Sequence, residues 1–263
     1  MKILVRAFLV ACISFGTAMG QAQETPGAAP ANAVAAPVAP AVDTAKEIAT
    51  MQAKLDDWPQ LGRYRAENAA LGPVPEGEQR VVFFGDSITD AWGRQPDTGE
   101  FFPGKPYVNR GISGQTTEQM VVRFRQDVIE LHPAAVVILA GTNDVAGNTG
   151  PMTPQMTEEN FESMADLARA NGIRVIIASI LPARDFPWHK GMDPAPKIRV
   201  LNDWLQGYCV NHSMTYLNYY PAMAAEDGGM KPGISKDGVH PNTKGYAIMA
   251  PLAEAAIEKT LAK

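Results

Sequence analysis

The chain of 263 residues has only two cysteines, Cys12 and Cys209. Cys12 lies in a leader-like N-terminus, so removal of that leader leaves Cys209 alone and excludes an internal disulfide, even in an oxidising compartment. The place of Cys209 on an expected helix favours a buried apolar role over chemistry. Charge is sparse too: Asp, Glu, Lys and Arg make up 19% of the residues, the formal net charge is -5, and the basic residues are scattered. That distribution excludes the basic face on which nucleic-acid binding depends. Beyond residue 20 no apolar run is long enough for an integral membrane span. Internal repeats are absent as well.

What is present starts with Met1-Lys2 and an apolar stretch from Ile3 to Gly20 whose only charge is Arg6. Residues 1–22 read as a signal peptide cleaved between Gly20 and Gln23, so the protein is expected to be exported, to the periplasm or outside the cell. Leu9-Val10-Ala11-Cys12 also fits a lipoprotein signal that would leave Cys12 acylated. The shortness of the run before Cys12, and the apolar continuation from Ile13 to Gly20, favour ordinary cleavage. Residues 23–42 are mostly Ala and Pro and read as a flexible, disordered tether. Residues 43–263 suffice for one domain with a substantial core. No oligomeric state is read from this pattern.

Within that domain four short apolar runs read as buried strands: Val81 to Phe84, Ala135 to Ala140, Ile173 to Ile180 and Met214 to Leu217. Between and after them, Glu118 to Leu131, Thr157 to Ala170, Ala195 to Asn211 and Thr243 to Leu261 carry apolar residues at helical spacing. Such alternation predicts a parallel sheet covered by helices on both faces, with its ligand site beyond the carboxyl ends of the strands. Ser87 follows the first strand, Asn143 the second, and the loop from Pro182 to Met192 the third. A further helical stretch from Thr44 to Ala70, holding Trp58, Leu61 and Tyr64, is expected to pack against the domain. Arg63 and Arg65 on it are assigned to the surface.

Ser87 stands in Gly85-Asp86-Ser87-Ile88-Thr89-Asp90, and far downstream Asp237-Gly238-Val239-His240 places a carboxylate three residues before an imidazole. A serine hydroxyl is a poor nucleophile near neutral pH, so it needs a base within reach, and the base needs a group to orient it. Asp237 and His240 supply both from one loop, and the set reads as serine-hydrolase chemistry. Against this, a lone Gly-Asp-Ser is a common turn, and His240, beside Pro241, also suits a helix cap. His132 and His212 fall at helix ends and are explained there.

Gly85-Asp86-Ser87-Ile88, Gly111-Ile112-Ser113-Gly114, Gly141-Thr142-Asn143-Asp144 and Asp237-Gly238-Val239-His240 occur in that order. Together they resemble the four sequence blocks of the SGNH hydrolases, also called the GDSL esterase/lipase family, over Val81 to about Leu261. Ile88 replaces the family's Leu. Gly-x-Ser-x-Gly is absent, so the nucleophile elbow of the α/β-hydrolases is not supported. Within the family the chain looks nearest to bacterial acylhydrolases similar to platelet-activating-factor acetylhydrolase subunits and to carbohydrate acetylesterases.

The resemblance implies a three-layer α/β/α sandwich with a flavodoxin-like parallel sheet, and hydrolysis of small acyl esters, foremost acetyl, through a covalent acyl-enzyme. Ser87 carries over as nucleophile, Asp237 and His240 as the rest of the triad, and the Ser87 N–H, Gly114 N–H and Asn143 amide as the oxyanion hole. No cofactor and no metal are expected. Asp86, Asp90 and Asp144 are read as braces for their turns, since no dense group of His, Cys and carboxylates surrounds them. The long aromatic loop with Trp188 and His189 is placed at the substrate pocket, where Trp188 either meets substrate or staples the loop to the domain. The expected partner is a small-molecule or carbohydrate ester. A lysophospholipid or thioester substrate, or a non-catalytic carbohydrate-binding domain on the same fold, are the alternatives.

Overall fold

A computed structural model of the chain describes residues 44–262. The expected leader, Cys12 and the Ala/Pro-rich tether lie outside the described residues. Five parallel strands form the sheet: β1 (Val81–Gly85), β2 (Tyr107–Gly111), β3 (Ala135–Leu139), β4 (Arg174–Ala178) and β5 (Thr215–Leu217), in the order β2-β1-β3-β4-β5. The helices are α1 (Thr44–Asp56), α2 (Arg65–Leu71), α3 (Ser87–Ala91), α4 (Thr117–Asp127), α5 (Thr142–Ala146), α6 (Pro154–Ala170), α7 (Pro194–Asn211), α8 (Tyr220–Met223) and α9 (Thr243–Leu261).

Side chains alternate across the sheet, and each set buries against its own helical layer. Val82, Phe84, Val136, Ile138, Val175 and Ile177 pack with residues of α4, α6 and α7. Val81, Phe83, Val137, Leu139, Ile176 and Ala178 face the other way, onto α3 and α9. The three central strands are therefore apolar on both faces, which is why they stand out as continuous runs. This is the expected three-layer α/β/α sandwich. Cys209 is fully buried, and burial pushes its thiol up to about 12, in keeping with an apolar role. No helix among the described residues is long and apolar enough to cross a membrane.

Two expectations need correction. The edge strand β2 is absent from the sequence reading because its Asn109 and Arg110 mask it as a loop. Both are buried and paired: Asn109 Nδ2 donates to the carbonyls of Thr89 (2.6 Å) and Trp92 (3.2 Å), and Arg110 Nε donates to Asn68 Oδ1 (2.7 Å). The stretch from Thr44 to Ala70 is not one helix. It breaks over Asp57 to Tyr64, where Gln60 has φ +57° and the Asp57 carboxylate accepts the N–H groups of Leu61 (2.7 Å) and Gly62 (2.8 Å). Only its second part packs: Tyr64 is fully buried, whereas α1 buries no residue. Arg65 is exposed as expected; Arg63 lies 4.7 Å from the Tyr64 ring centre and 3.7 Å from Asp90 Oδ1.

The order β2-β1-β3 reverses direction at β1, and the crevice between the carboxyl ends of β1 and β3 is where open parallel sheets of this type bind ligands. Close approach of α3 to the end of β2 depends on Gly111. A Cβ built there would sit 2.1 Å from the Asp90 backbone nitrogen. Gly111→Ala is accordingly expected to lower the unfolding free energy by about 1–3 kcal/mol, the usual cost of overpacking. Urea denaturation measures this, and an unchanged midpoint would show that α3 yields freely.

Candidate active site

Chain leaving β1 meets Asp86, whose Oδ1 accepts the Ile88 N–H at 2.9 Å and so caps α3 with Ser87 as its first residue. Tyr246 of α9 donates to the Ile88 carbonyl at 2.7 Å and holds that short helix from behind. The Ser87 hydroxyl lies 2.9 Å from His240 Nε2, and His240 Nδ1 lies 2.7 Å from Asp237 Oδ2. Asp237 Oδ1 also accepts the backbone N–H groups of Val239 (3.0 Å) and His240 (2.8 Å), so one carboxylate both closes the loop and aims the ring. Partial burial acts to raise the pKa of Asp237, but the hydrogen bonds from the His240 backbone, the His240 ring and Val239 outweigh it and hold the carboxyl below its ordinary range. An ionised acceptor at Nδ1 fixes the proton there and leaves the Nε2 lone pair facing Ser87.

Ser87, Gly114, Asn143, Trp188, Asp237 and His240 line one cavity of about 410 Å³. Gly114 sits at φ +81°, a left-handed conformation that turns the chain beside the serine. Asn143 Nδ2 donates to the Gln115 carbonyl at 2.9 Å, while its Oδ1 accepts from Asn148 Nδ2 at 2.7 Å. The same Nδ2 lies 3.5 Å from Asp86 Oδ2, so the amide is held from both of its ends in the residue set that lines the Ser87 cavity. Asn148 is thus an orienting residue that sequence reasoning missed; an asparagine just after a glycine reads as a turn former and carries no other signal.

Asn148 Oδ1 in turn accepts the Trp188 indole N–H at 3.1 Å. Trp188 stacks on buried Phe186, with ring centres 5.2 Å apart, and its ring centre is 5.9 Å from that of His240. It therefore both staples the loop and lines the site. His189 does not line that cavity; its Nδ1 contacts the Ala146 carbonyl at 2.8 Å and ties the loop to α5. His132 and His212 stand at helix C-termini, as expected.

The three aspartates are engaged by hydrogen-bond donors. Asp86 caps α3, Asp90 Oδ2 accepts the Ser113 hydroxyl at 2.8 Å, and Asp144 accepts the Thr117 N–H and the hydroxyls of Thr117 and Thr157. Among the described residues no group of three or more His, Cys, Asp or Glu is placed to hold a metal ion. Burial pushes Asp86 up to about 6, against the pull of the Ile88 N–H and His240, and pushes Asp144 up to about 6 against its threonine donors.

A folded-state pKa above the unfolded value means that the fold takes up protons between pH about 6 and the ordinary carboxylate value of 3.8. Each group then adds on the order of 2–3 kcal/mol of stability as pH falls through that window, and the gain is lost as pH rises above it. Asp237 has the opposite sign and weakens the fold only at lower pH, as it becomes protonated. Stability is expected to rise from pH 7 toward pH 4, and Asp144→Asn to remove about half of the rise. Urea melts across that range test this. Stability that instead drops as the pH is lowered from 7 to 4, in both proteins, refutes it.

A parallel three-layer sandwich that brings a hydrogen-bonded serine and histidine to its switch point is the architecture of a serine ester hydrolase of the SGNH kind. Residues 83–248 match the GDSL-like Lipase/Acylhydrolase family, and the chain belongs to that family. A GDSL-like lipase from Bacteroides thetaiotaomicron superposes with a TM-score of 0.73 at 47% identity, over 76% of this chain and 98% of that one. Esterase TesA of Pseudomonas aeruginosa is 30% identical over 62% of this chain and 80% of its own length. Platelet-activating factor acetylhydrolase IB subunit alpha1 of Bos taurus is 27% identical over 64% of this chain and 71% of its own. Across the curated relatives the match spans from 40% to 80% of their lengths.

Proposed function

We propose that the chain hydrolyses short-chain acyl esters, foremost acetyl esters borne on carbohydrate, with Ser87 as nucleophile, His240 as general base and acid, and Asp237 as the group that orients it. The observation that carries this reading is the continuous relay from Ser87 Oγ through the His240 ring to Asp237, at 2.9 and 2.7 Å. Ser87 Oγ forms a bond to the ester carbonyl carbon as its proton passes to His240 Nε2. The carbonyl oxygen takes up negative charge, and the Ser87 N–H, the Gly114 N–H and the Asn143 amide are its proposed donors. Collapse breaks the bond to the alcohol oxygen, which leaves with the proton from Nε2. Water then attacks the acyl-serine and gives a proton to His240, which returns it to Ser87 Oγ as the acyl–Oγ bond breaks, releasing the carboxylic acid and free Ser87.

Removing one oxyanion donor should raise the barrier by about 3 kcal/mol. No metal is required by this route, since the aspartates that could bind one are spent on backbone and hydroxyl donors; dialysis against a chelator should leave aryl acetate hydrolysis intact. Support for a short acyl group comes from the modest size of the cavity, about 410 Å³, and from Gln95, Thr98 and Lys236 among the residues that line it. We also propose the chain organisation read from sequence: residues 1–22 a leader, 23–42 a tether, 43–263 the exported hydrolase. A fluorophosphonate should label one residue, located at Ser87 by peptide mass. Labelling elsewhere would refute the assignment, and a rate maximum at octanoyl or longer esters would refute the short-acyl reading.

A further inference from the structure

The end of α5 brings two asparagine amides together. Gly147, at φ +69°, turns the chain out of the helix; its N–H donates to the Asp144 carbonyl, and the N–H of Asn148 to the Asn143 carbonyl, both at 3.0 Å. This pair of bonds folds the side chain at position 148 back over the residue five positions earlier, a contact that is commonly apolar. Here both residues are amides. Asn148 is exposed, yet its side chain is spent on partners from the site. Its Nδ2 donates to Asn143 Oδ1 at 2.7 Å and to the Gly114 carbonyl at 3.4 Å, and its Oδ1 accepts the Trp188 indole N–H at 3.1 Å.

The loop after β4 grips this helix end twice. Trp188, stacked on buried Phe186, reaches Asn148, and the adjacent His189 meets the Ala146 carbonyl, the last of α5, at 2.8 Å. Hydrogen bonds therefore run in one direction from the indole N–H to Asn148 Oδ1, from Asn148 Nδ2 to Asn143 Oδ1, and from Asn143 Nδ2 to the Gln115 carbonyl at 2.9 Å. In such a run each donation fixes the sense of the next amide and strengthens its N–H groups. Asn143 Nδ2 carries two hydrogens. One goes to Gln115; the other has Asp86 Oδ2 at 3.5 Å, too long for a good hydrogen bond, and is the one open to a substrate oxygen.

We propose that Trp188 and Asn148 are positioning residues for turnover: the Trp188 indole N–H, acting through Asn148, holds the Asn143 amide where it donates to the developing oxyanion. The loop after β4 then sets kcat as well as forming a wall of the cavity. The proposal rests on the ester-hydrolase reading, with Asn143 as an oxyanion donor, and adds the residues that govern that donor. Its test is kcat and KM on a small aryl acetate. Asn148→Asp keeps the size of the side chain and an acceptor for Trp188 but sets a carboxylate against Asn143 Oδ1. Its kcat should fall about a hundredfold, as on loss of an oxyanion donor, with KM within about threefold of the parent's. Asn148→Ala should cost about tenfold in kcat, and Trp188→Phe, which keeps the stack on Phe186 but has no N–H, about fivefold.

A relay also predicts how the losses combine, which a merely structural role does not. Added to Asn143→Ala, Asn148→Ala should cost less than about twofold more; added to Asn148→Ala, Trp188→Phe should likewise cost less than about twofold. Because Asn148 is exposed, thermal melts of its variants should stay close to the parent's. Losses of the same size in every background, a kcat for Asn148→Asp within about twofold of the parent's, or a raised KM at unchanged kcat would each overturn the relay. Ser87-dependent turnover by the parent in those cases leaves the hydrolase reading standing. Absence of turnover by the parent on every ester overturns both readings together.

Discussion

Ser87→Ala is expected to lower kcat for a small aryl acetate by about a millionfold, with the fold retained. The hydroxyl is half-exposed and hydrogen-bonded to His240, so its removal strands no buried polar group. His240→Ala should cost about as much, and the double variant no more than either, because nucleophile and base act as one unit. Asp237→Asn should fall short of this, at about ten-thousandfold, since the ring stays near Ser87 but loses the ionised partner that selects its tautomer. Because Asp237 also accepts two backbone N–H groups, that variant should lose stability where Ser87→Ala does not. Steady-state rates beside thermal melts separate the effects. Turnover by Ser87→Ala within tenfold of the parent would remove Ser87 from the chemistry.

How much of this was legible in the sequence follows from what each residue is buried against. β1, β3 and β4 are covered on both faces, so their runs had to be apolar and could be recognised directly. β2 lies at the edge, and its polar Asn109 and Arg110 are satisfied by groups distant in sequence, which no local pattern records. The hydrogen-bonded set of Ser87, His240 and Asp237 was readable because Asp237 and His240 share one turn and Ser87 follows a strand. Asn148 was not, since its role depends on which carbonyls stand opposite. Trp58 was expected to pack within a single helix; the break at Asp57 leaves it exposed instead.

Arg123 is the residue whose role is hardest to foresee and whose loss should harm the fold most. It falls on α4 between Met120 and Phe124, where an arginine ordinarily reaches water, yet it is fully buried. Its guanidinium donates to the Gly85 carbonyl and the Arg110 carbonyl (both 2.9 Å), to Gln115 Oε1 (2.5 Å) and to Asp127 Oδ2 (3.2 Å), and lies 4.1 Å from the centre of the Phe84 ring. One side chain thereby joins the ends of β1 and β2 to the loop that carries Gly114. Burial lowers its pKa to about 10 against the pull of Asp127, so it stays charged at neutral pH. Arg123→Met should destabilise the fold by about 3–5 kcal/mol, because Asp127 is left buried without its cation and the two strand-end carbonyls lose a donor. Adding Asp127→Asn should recover part of that loss by removing the stranded charge, whereas Arg123→Lys should not, since an ammonium cannot span four acceptors in the plane of a guanidinium. Gln115 supplies the carbonyl that holds Asn143, so the single variant should also lower kcat at temperatures where it is still folded. Urea denaturation of the parent and the three variants, and rates measured below their midpoints, test both expectations. Equal midpoints for the parent and Arg123→Met would show that the buried cation holds nothing together.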